Sequence, residues 1–180
     1  MRRGAAARRR RARTYVQVVA AAAKREGSWD AWEHDIAALR AIAEDDRVRA
    51  FLEAVAVPVA DRLNLVDRVA GSSIGAHGLG LLRVLMAQRD LDVVPDVERA
   101  FIRIADRERR LDRVHVTTAV PLNDVETDEL RERLARPGRQ LHLTTTTDLA
   151  IIGGFVVRRG DNLLDLSVRA RLQSLGRALQ

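Results

Sequence analysis

Few residue groups in this chain are of a type and spacing that could do chemistry. Residues 71–80 read GSSIGAHGLG and residues 151–157 read IIGGFVV. Glycine-rich turns of this kind can present backbone N–H groups to a phosphate. The first lacks the Gly-Lys-Ser/Thr ending of a nucleotide loop and the G-x-G-x-x-G spacing, and no strand precedes it. It reads as a connection between helices. The second pair falls inside or beside a strand, where glycine marks a bulge or the close approach of another backbone. Asp165 and Ser167 offer an acid and a hydroxyl, but no histidine or lysine is near in sequence to activate the serine. Their place before an apolar-striped run suits helix capping, which contributes about 1 kcal/mol. His34, His77, His115 and His142 are scattered. His115 and His142 could be neighbours across a sheet, but no acid stands at ligand spacing, so no metal site is expected. The absence of cysteine excludes disulfides, thiolate metal sites and a cysteine nucleophile. No cofactor, metal or catalytic group is expected, and an enzyme would need an acid–base pair that these residues do not form.

The charge is uneven. The chain of 180 residues carries a net +6, yet residues 1–13 hold seven arginines and no acid, which leaves 24 basic and 25 acidic residues beyond them. The body is therefore close to neutral and has no global footprint for nucleic acid. The basic start could bind a phosphate backbone, and it is similar to an organellar transit segment. It has no interleaved aromatics, and it reads first as a solvated, flexible tail over residues 1–11. No apolar stretch approaches the roughly 20 residues that span a bilayer. At 47% hydrophobic and 3% aromatic, the core must be built from Ala, Val, Leu and Ile.

The elements that must position these groups change period once. Helical spacing starts at Ala12, with Tyr15, Val18, Val19 and Ala22 in line and Gly27 as the stop. Ser28 can cap a second helix striped by Trp29, Trp32, Ile36, Leu39 and Ile42. Asp45 or Asp46 can cap a third, with Val48, Phe51, Leu52 and Val55 inward. Pro58 opens a fourth bearing Val59, Leu63, Val66 and Val69, ended by Gly71. A fifth carries Leu79, Leu82, Leu85 and Met86, and a sixth, from about Val93, carries Val97, Phe101, Ile104 and Ala105. Alternation then takes over. Val114, Val116, Thr118 and Val120 share one face of a strand. Asn123 or Asp124 caps a helix with Val125, Leu130 and Leu134, stopped at Pro137-Gly138. QLHLTTTT, IIGGFVV and LLDL read as further strands, and Ser167 caps a last helix lined by Val168, Leu172, Leu175 and Leu179. The expected fold is α+β, mainly α: a six-helix bundle over 12–110, then a small α/β module over 111–180 with a short sheet and a terminal helix.

Two stretches, VHVTTAVPLNDVETDELRERL and LHLTTTTDLAIIGGFVVRRGDNLLDLSVRARLQSLGRAL, carry a combined pattern. It consists of Ala119, Pro121 and Leu122, then Asp148, Ile151, Ile152, Gly153 and Gly154, then Gly160, Asp161, Asp165, Ser167, Leu172 and Leu175. It resembles the delta subunit family of bacterial and chloroplast F-type ATP synthases, relatives of the mitochondrial oligomycin-sensitivity-conferring protein. Ala12 and Tyr15 match the start of that family's first helix, where Val18 and Val19 replace larger residues. The resemblance implies a non-catalytic stator of the peripheral stalk, on the cytoplasmic face of a plasma membrane and bacterial in preference to organellar. Its partners would be the N-terminal helix of an alpha subunit and the C-termini of the b subunits, with no small-molecule substrate, no specific nucleic acid, and membrane association only through the complex. The alpha helix would lie in a groove between the first and fifth helices, which maps to Tyr15, Val18, Val19, Ala22, Leu79, Leu82, Arg83 and Met86. The b subunits would meet Gly153, Gly154, Asp165, Ser167, Leu172, Leu175 and Leu179. The alternative, from the arginines alone, is a nucleic-acid-associated helical protein.

Overall fold

The computed structural model describes residues 2–70 and 73–178, with side chains from residue 6 onward except those of 67, 69, 70 and 175–178. The chain is mainly helical and divides into two compact units, residues up to Ala105 and residues from Asp106. The division falls a few residues before the expected one. The reason is local: Arg113 Nε donates to both carboxylate oxygens of Asp106 at 3.0 Å, tying the last turn of a helix to the strand that follows it.

The first unit contains α1 (Arg2–Glu26), α2 (Trp29–Glu44), α3 (Asp46–Leu52), α4 (Val59–Ala70), α5 (Ala76–Gln88) and α6 (Val94–Glu108) up to Ala105, with a 3₁₀ turn at Leu91–Val93 before α6. It is not a plain six-helix bundle, because α3 is only seven residues long and the 3₁₀ turn supplies core residues of its own. Two expectations fail at α1. Residues 2–11 of the basic segment are not an extension ahead of the helix, since α1 is helical from Arg2. The buried stripe is Ala12, Val16, Val19 and Ala23, while Val18 is 67% exposed. Gly27 ends α1 at φ +65°, as a C-terminal glycine does.

The core of this unit gathers Ile36 and Leu39 of α2, Leu52 of α3, Leu82 and Leu85 of α5, Leu91 and Val93 of the 3₁₀ turn, and Val97 and Phe101 of α6. Trp29 stacks on Phe101 with ring centroids 5.7 Å apart. Asp45 caps α3 by accepting from the N–H groups of Arg47 and Val48. Ser28 stands at the N-cap of α2 but makes no side-chain cap bond, and its hydroxyl is buried without a partner among the described residues. Val55 and Val59 point to solvent, contrary to the stripes that included them, because α3 stops at Leu52 and α4 starts only at Val59. The side chain of Val69 and the whole of Gly71 lie outside the described residues.

The second unit is a four-stranded sheet with two helices: β1 (Leu111–Thr118), α7 (Asp124–Leu134), β2 (Gln140–Thr147), β3 (Phe155–Arg159), β4 (Asn162–Asp165) and α8 (Val168–Ala178). The strand order is β2-β1-β3-β4. β1 and β2 are parallel, with Val114 opposite Leu143, and α7 connects them. β3 is antiparallel to β1, with Val116 opposite Val157, and β4 is antiparallel to β3. β1 buries Asp112, Val114, Val116 and Thr118. Val120 lies past the strand end and is exposed. Asp112 shares the buried face with the valines because three arginines neutralise it: Arg139 at 2.5 Å, Arg159 at 3.4 Å and Arg136 at 3.8 Å. Asn123 and Glu126 form a reciprocal capping box at α7, whose Val125 is exposed while Leu130 and Leu134 pack on the sheet. IIGGFVV is not one strand. Leu149–Ile151 form a 3₁₀ turn, Ile152 takes φ +68°, and β3 starts only at Phe155.

Candidate functional site

The 3.6-residue period of α1 gives it two apolar faces. Ala12, Val16, Val19 and Ala23 face the core, whereas Tyr15 and Val18 stand on the neighbouring face. α5 runs antiparallel to α1, since its start meets Glu26 through His77 and the residue two past its end, Asp90, meets Tyr15. Between them opens an apolar groove of about 490 Å³. Thr14, Tyr15, Val18 and Val19 form one wall, and Ala76, His77, Gly80, Leu81 and Val84 form the other, with Trp32 of α2 beneath. Gly80 keeps the groove open, because a Cβ there would meet no atom within 4 Å. Val84 is half-exposed, so both walls present unpartnered valines.

Polar groups close the groove at its two ends. At one end the Tyr15 hydroxyl donates to Asp90 Oδ2 at 2.7 Å, and Arg11 donates to Asp90 and to Asp92. Burial and the bond to Asp90 push the Tyr15 hydroxyl up to about 12. A turn earlier, Arg8 and Arg99 grip the buried Asp96. At the other end His77 Nε2 lies 3.0 Å from a carboxylate oxygen of Glu26, and the imidazole tilts over Trp32 at 4.9 Å.

The groove residues expected on α1 and α5 divide accordingly. Tyr15, Val18 and Val19 line the groove, and Ala22 packs instead against the core. On α5 the expected set is rotated away. Leu82 and Met86 are buried, Leu79 packs on the core, and Arg83 borders a different recess. The sequence of α5, AHGLGLLRVLMAQ, is apolar on nearly all sides, so periodicity does not select a face. A usable signal was the line of small and branched residues Ala76, Gly80 and Val84, spaced four apart.

The glycine-rich connection is architectural. The side chain of Asp35, from α2, accepts from the N–H groups of Gly75 at 2.7 Å and Gly78 at 2.8 Å. The anion position at the start of α5 is thus filled by a carboxylate of the same chain. A Cβ on Gly78 would lie 2.6 Å from Ile74 Cγ2 and 3.0 Å from Asp35 Cβ, so glycine is what allows α2 and α5 to approach.

In the second unit the Gly-Gly pair seats α8. Gly154 adopts φ +78°, and a Cβ there would lie 2.4 Å from the Leu166 carbonyl oxygen. The Gly153 carbonyl accepts from Val168 N at 2.9 Å, and the Phe155 carbonyl from Leu166 N at 3.0 Å. Asp165 accepts from Ser167 N at 2.9 Å, and hydrogen bonding from the Ser167 side chain first, then from its backbone N–H, holds the carboxyl below the usual carboxylate range. Ser167, 2% exposed, accepts from Ala170 N at 3.1 Å. Both side chains are therefore capping groups. Around this seat, Leu163 and Leu164 of β4, Ile152 and Leu172 are exposed apolar residues. Leu179 and the side chain of Leu175 lie outside the described residues.

No set of three or more His, Asp or Glu residues converges as a metal site among the described residues. His115 Nε2 meets Thr146 Oγ1 at 3.0 Å, and His142 lies opposite Arg113 on the adjacent strand, two register positions from His115. Of the arginines behind the nucleic-acid alternative, Arg8 and Arg11 are engaged by Asp96, Asp90 and Asp92 of the same unit.

The chain is similar in sequence and fold to known proteins. The chain is 30% identical over 170 residues to the ATP synthase subunit delta of Methylobacillus flagellatus, covering 94% of this chain and 96% of that one. It is 29% identical over 169 residues to the subunit delta of Alcanivorax borkumensis, covering 93% and 95%. Its fold matches a chain of the Toxoplasma gondii mitochondrial ATP synthase hexamer, solved by cryo-EM, with TM-score 0.64 at 23% identity over 92% of this chain and 95% of that one. The family model for the ATP synthase delta (OSCP) subunit matches residues 12–179, nearly the whole length, and the chain belongs to that family.

Proposed function

We infer that this chain is the stator subunit of an F-type ATP synthase peripheral stalk, joining the catalytic head to the b subunits. As a delta-family protein it is a structural, non-catalytic subunit of a membrane-associated complex. No helix among the described residues is long and apolar enough to cross a membrane, so it is held there through the complex. We place it on the cytoplasmic face of a bacterial plasma membrane, in keeping with its bacterial relatives.

The observation that carries this reading is the open groove between α1 and α5. Its occupant is the amphipathic N-terminal helix of an alpha subunit, seated in a helix-in-groove mode with apolar anchors on Val18, Leu81 and Val84. The C-termini of the b subunits take the second unit, where Leu163, Leu164 and Leu172 remain uncovered. Rotation of the central stalk exerts torque on the head, and a stator resists it through slow dissociation from both partners. Desolvated apolar anchors supply most of that binding energy.

The test is calorimetric titration of the full chain with two peptides, one the N-terminal helix of alpha and the other the C-terminal segment of b, both from the same complex. Each should bind one to one. Val18→Asp should abolish only the first interaction, and Leu172→Asp only the second. A folded chain that binds neither peptide would overturn the reading.

A further inference from the structure

A second recess in the first unit, separate from the groove, is not explained by the stator reading. It measures about 140 Å³ and lies among Val55, Val59, Arg62, Met86 and Ala87, with Arg83 and Arg89 at its border. Three arginines therefore face one small space, and no carboxylate lines it. We propose that this recess is a binding site for a phosphate-type tetrahedral oxyanion, held by Arg62, Arg83 and Arg89.

Three observations support the site. Several other arginines of this unit are paired: Arg8 with Asp96, Arg11 with Asp90, Arg40 with Glu98 and Arg49 with Asp46. Arg62 is different. It is 9% exposed, it donates from Nη1 to the Leu52 carbonyl at 2.8 Å, and its Nε has no partner among the described residues. A buried guanidinium donor left unmatched is costly unless an acceptor arrives. Arg89 is different in another way. It ends α5 in the left-handed conformation at φ +54°, where glycine is the preferred residue. A non-glycine residue held there carries a backbone cost, of a kind found where the side chain is needed.

Charge and size select the ligand. The recess lies at the C-terminal end of α5, whose dipole opposes an anion with about half a charge, and three guanidinium groups outweigh it. Guanidinium forks match the oxygens of a phosphate in paired hydrogen bonds. The volume admits a small oxyanion but is below the roughly 300 Å³ at which small-molecule pockets begin, so no nucleoside fits beside it.

The experiment is a calorimetric titration of the full chain with sodium phosphate, with ionic strength held constant by chloride, and in parallel with glycerol phosphate. One-to-one binding is expected, weakened about tenfold in Arg83→Gln and again in Arg89→Gly, as loss of one charge-assisted hydrogen bond implies. Arg89→Gly also relieves the left-handed backbone, so that variant stays folded and its loss of binding is not a loss of structure. Arg103→Gln, the same charge change on the exposed side of α6, should bind as the parent chain does. Glycerol phosphate binding at least as well as the free ion would assign a phosphate ester, and weaker binding would assign free phosphate. No saturable heat with either ligand, or equal losses in Arg103→Gln and Arg83→Gln, would overturn the site. The alpha-peptide titration is unaffected by these outcomes, because the groove and the recess share no residue.

Discussion

The missing Cβ of Gly154 would sit 2.4 Å from the backbone oxygen of Leu166 and 3.1 Å from the Cα of Ser167. This relationship seats the start of α8 against the turn before β3, and it involves backbone, which cannot swing aside. Gly154→Ala combines that clash with an unfavourable φ of +78°. Each effect costs about 1–3 kcal/mol, so the variant should lose roughly 2–6 kcal/mol of stability and bind the b peptide poorly. Gly160→Ala, at φ +58° with nothing within 4 Å of its Cβ, carries only the conformational part. Denaturant melts of the two variants decide the matter. Equal losses would mean that the close approach at Gly154 is not what glycine provides.

The α1–α5 groove makes a contrast between two glycines of one helix. Gly80→Leu places its Cβ where no atom lies within 4 Å, fills the groove, and gains up to about 1 kcal/mol of helix propensity. Its melting temperature should hold or rise while affinity for the alpha peptide falls at least tenfold. Gly78→Ala pushes into Ile74 and Asp35 and should lose about 1–3 kcal/mol. Thermal melts and peptide titrations on the same samples separate the two effects. A Gly80→Leu chain that still bound the peptide at parental affinity would move the alpha site elsewhere.

Much of this was legible in the sequence, and the failures share a cause. The change from helical to alternating period located the sheet, and the Asn123 and Ser167 caps were readable because a capping side chain acts on its own neighbours. Gly153-Gly154 reads from the sequence as a bulge or a close backbone approach, and Gly154 makes the close approach, to Leu166 and Ser167, which nothing local names. What failed depends on partners distant in sequence. In the arginine-rich start, Arg8 and Arg11 are engaged by Asp90, Asp92 and Asp96, which lie far along the chain. The groove face of α5 was missed because its apolar residues run around the helix: with Leu82 and Met86 packed in the core, Val84 is left exposed and the buried Leu81 lines the groove floor beside it. Nothing local in the sequence connects Asp35 to Gly75 and Gly78.

Asp35 carries a prediction of its own. It is almost fully buried and accepts two backbone N–H groups at the start of α5, a capping role supplied from another helix. Asp35→Ala strands both donors and leaves a gap beneath Gly75, and it should cost about 2–4 kcal/mol. Asp35→Asn retains one acceptor oxygen and should cost less. Hydrogen exchange at the Gly75 and Gly78 amides reads the effect locally and should accelerate in both variants, most in the alanine one. Unchanged protection at these two amides would remove Asp35 from the role.

Tyr15 gives the pH prediction, and it is the only tyrosine in the chain. Burial and its bond to Asp90 raise its folded value to about 12 from an unfolded 10.0. The neutral phenol is thus favoured by folding. Its contribution is fully present below pH 10 and is lost as pH rises from about 10 to about 12. Phenolate absorbance follows this one group directly. The parent chain should titrate near 12, and Asp90→Asn, which removes the carboxylate that accepts the bond, should titrate closer to 10. Tyr15→Phe should lose about 1 kcal/mol at neutral pH through the missing hydrogen bond, and should show a shallower loss of stability through the alkaline window. A parent titration midpoint near 10 would mean that Tyr15 is not held against Asp90 and that the polar end of the groove is open.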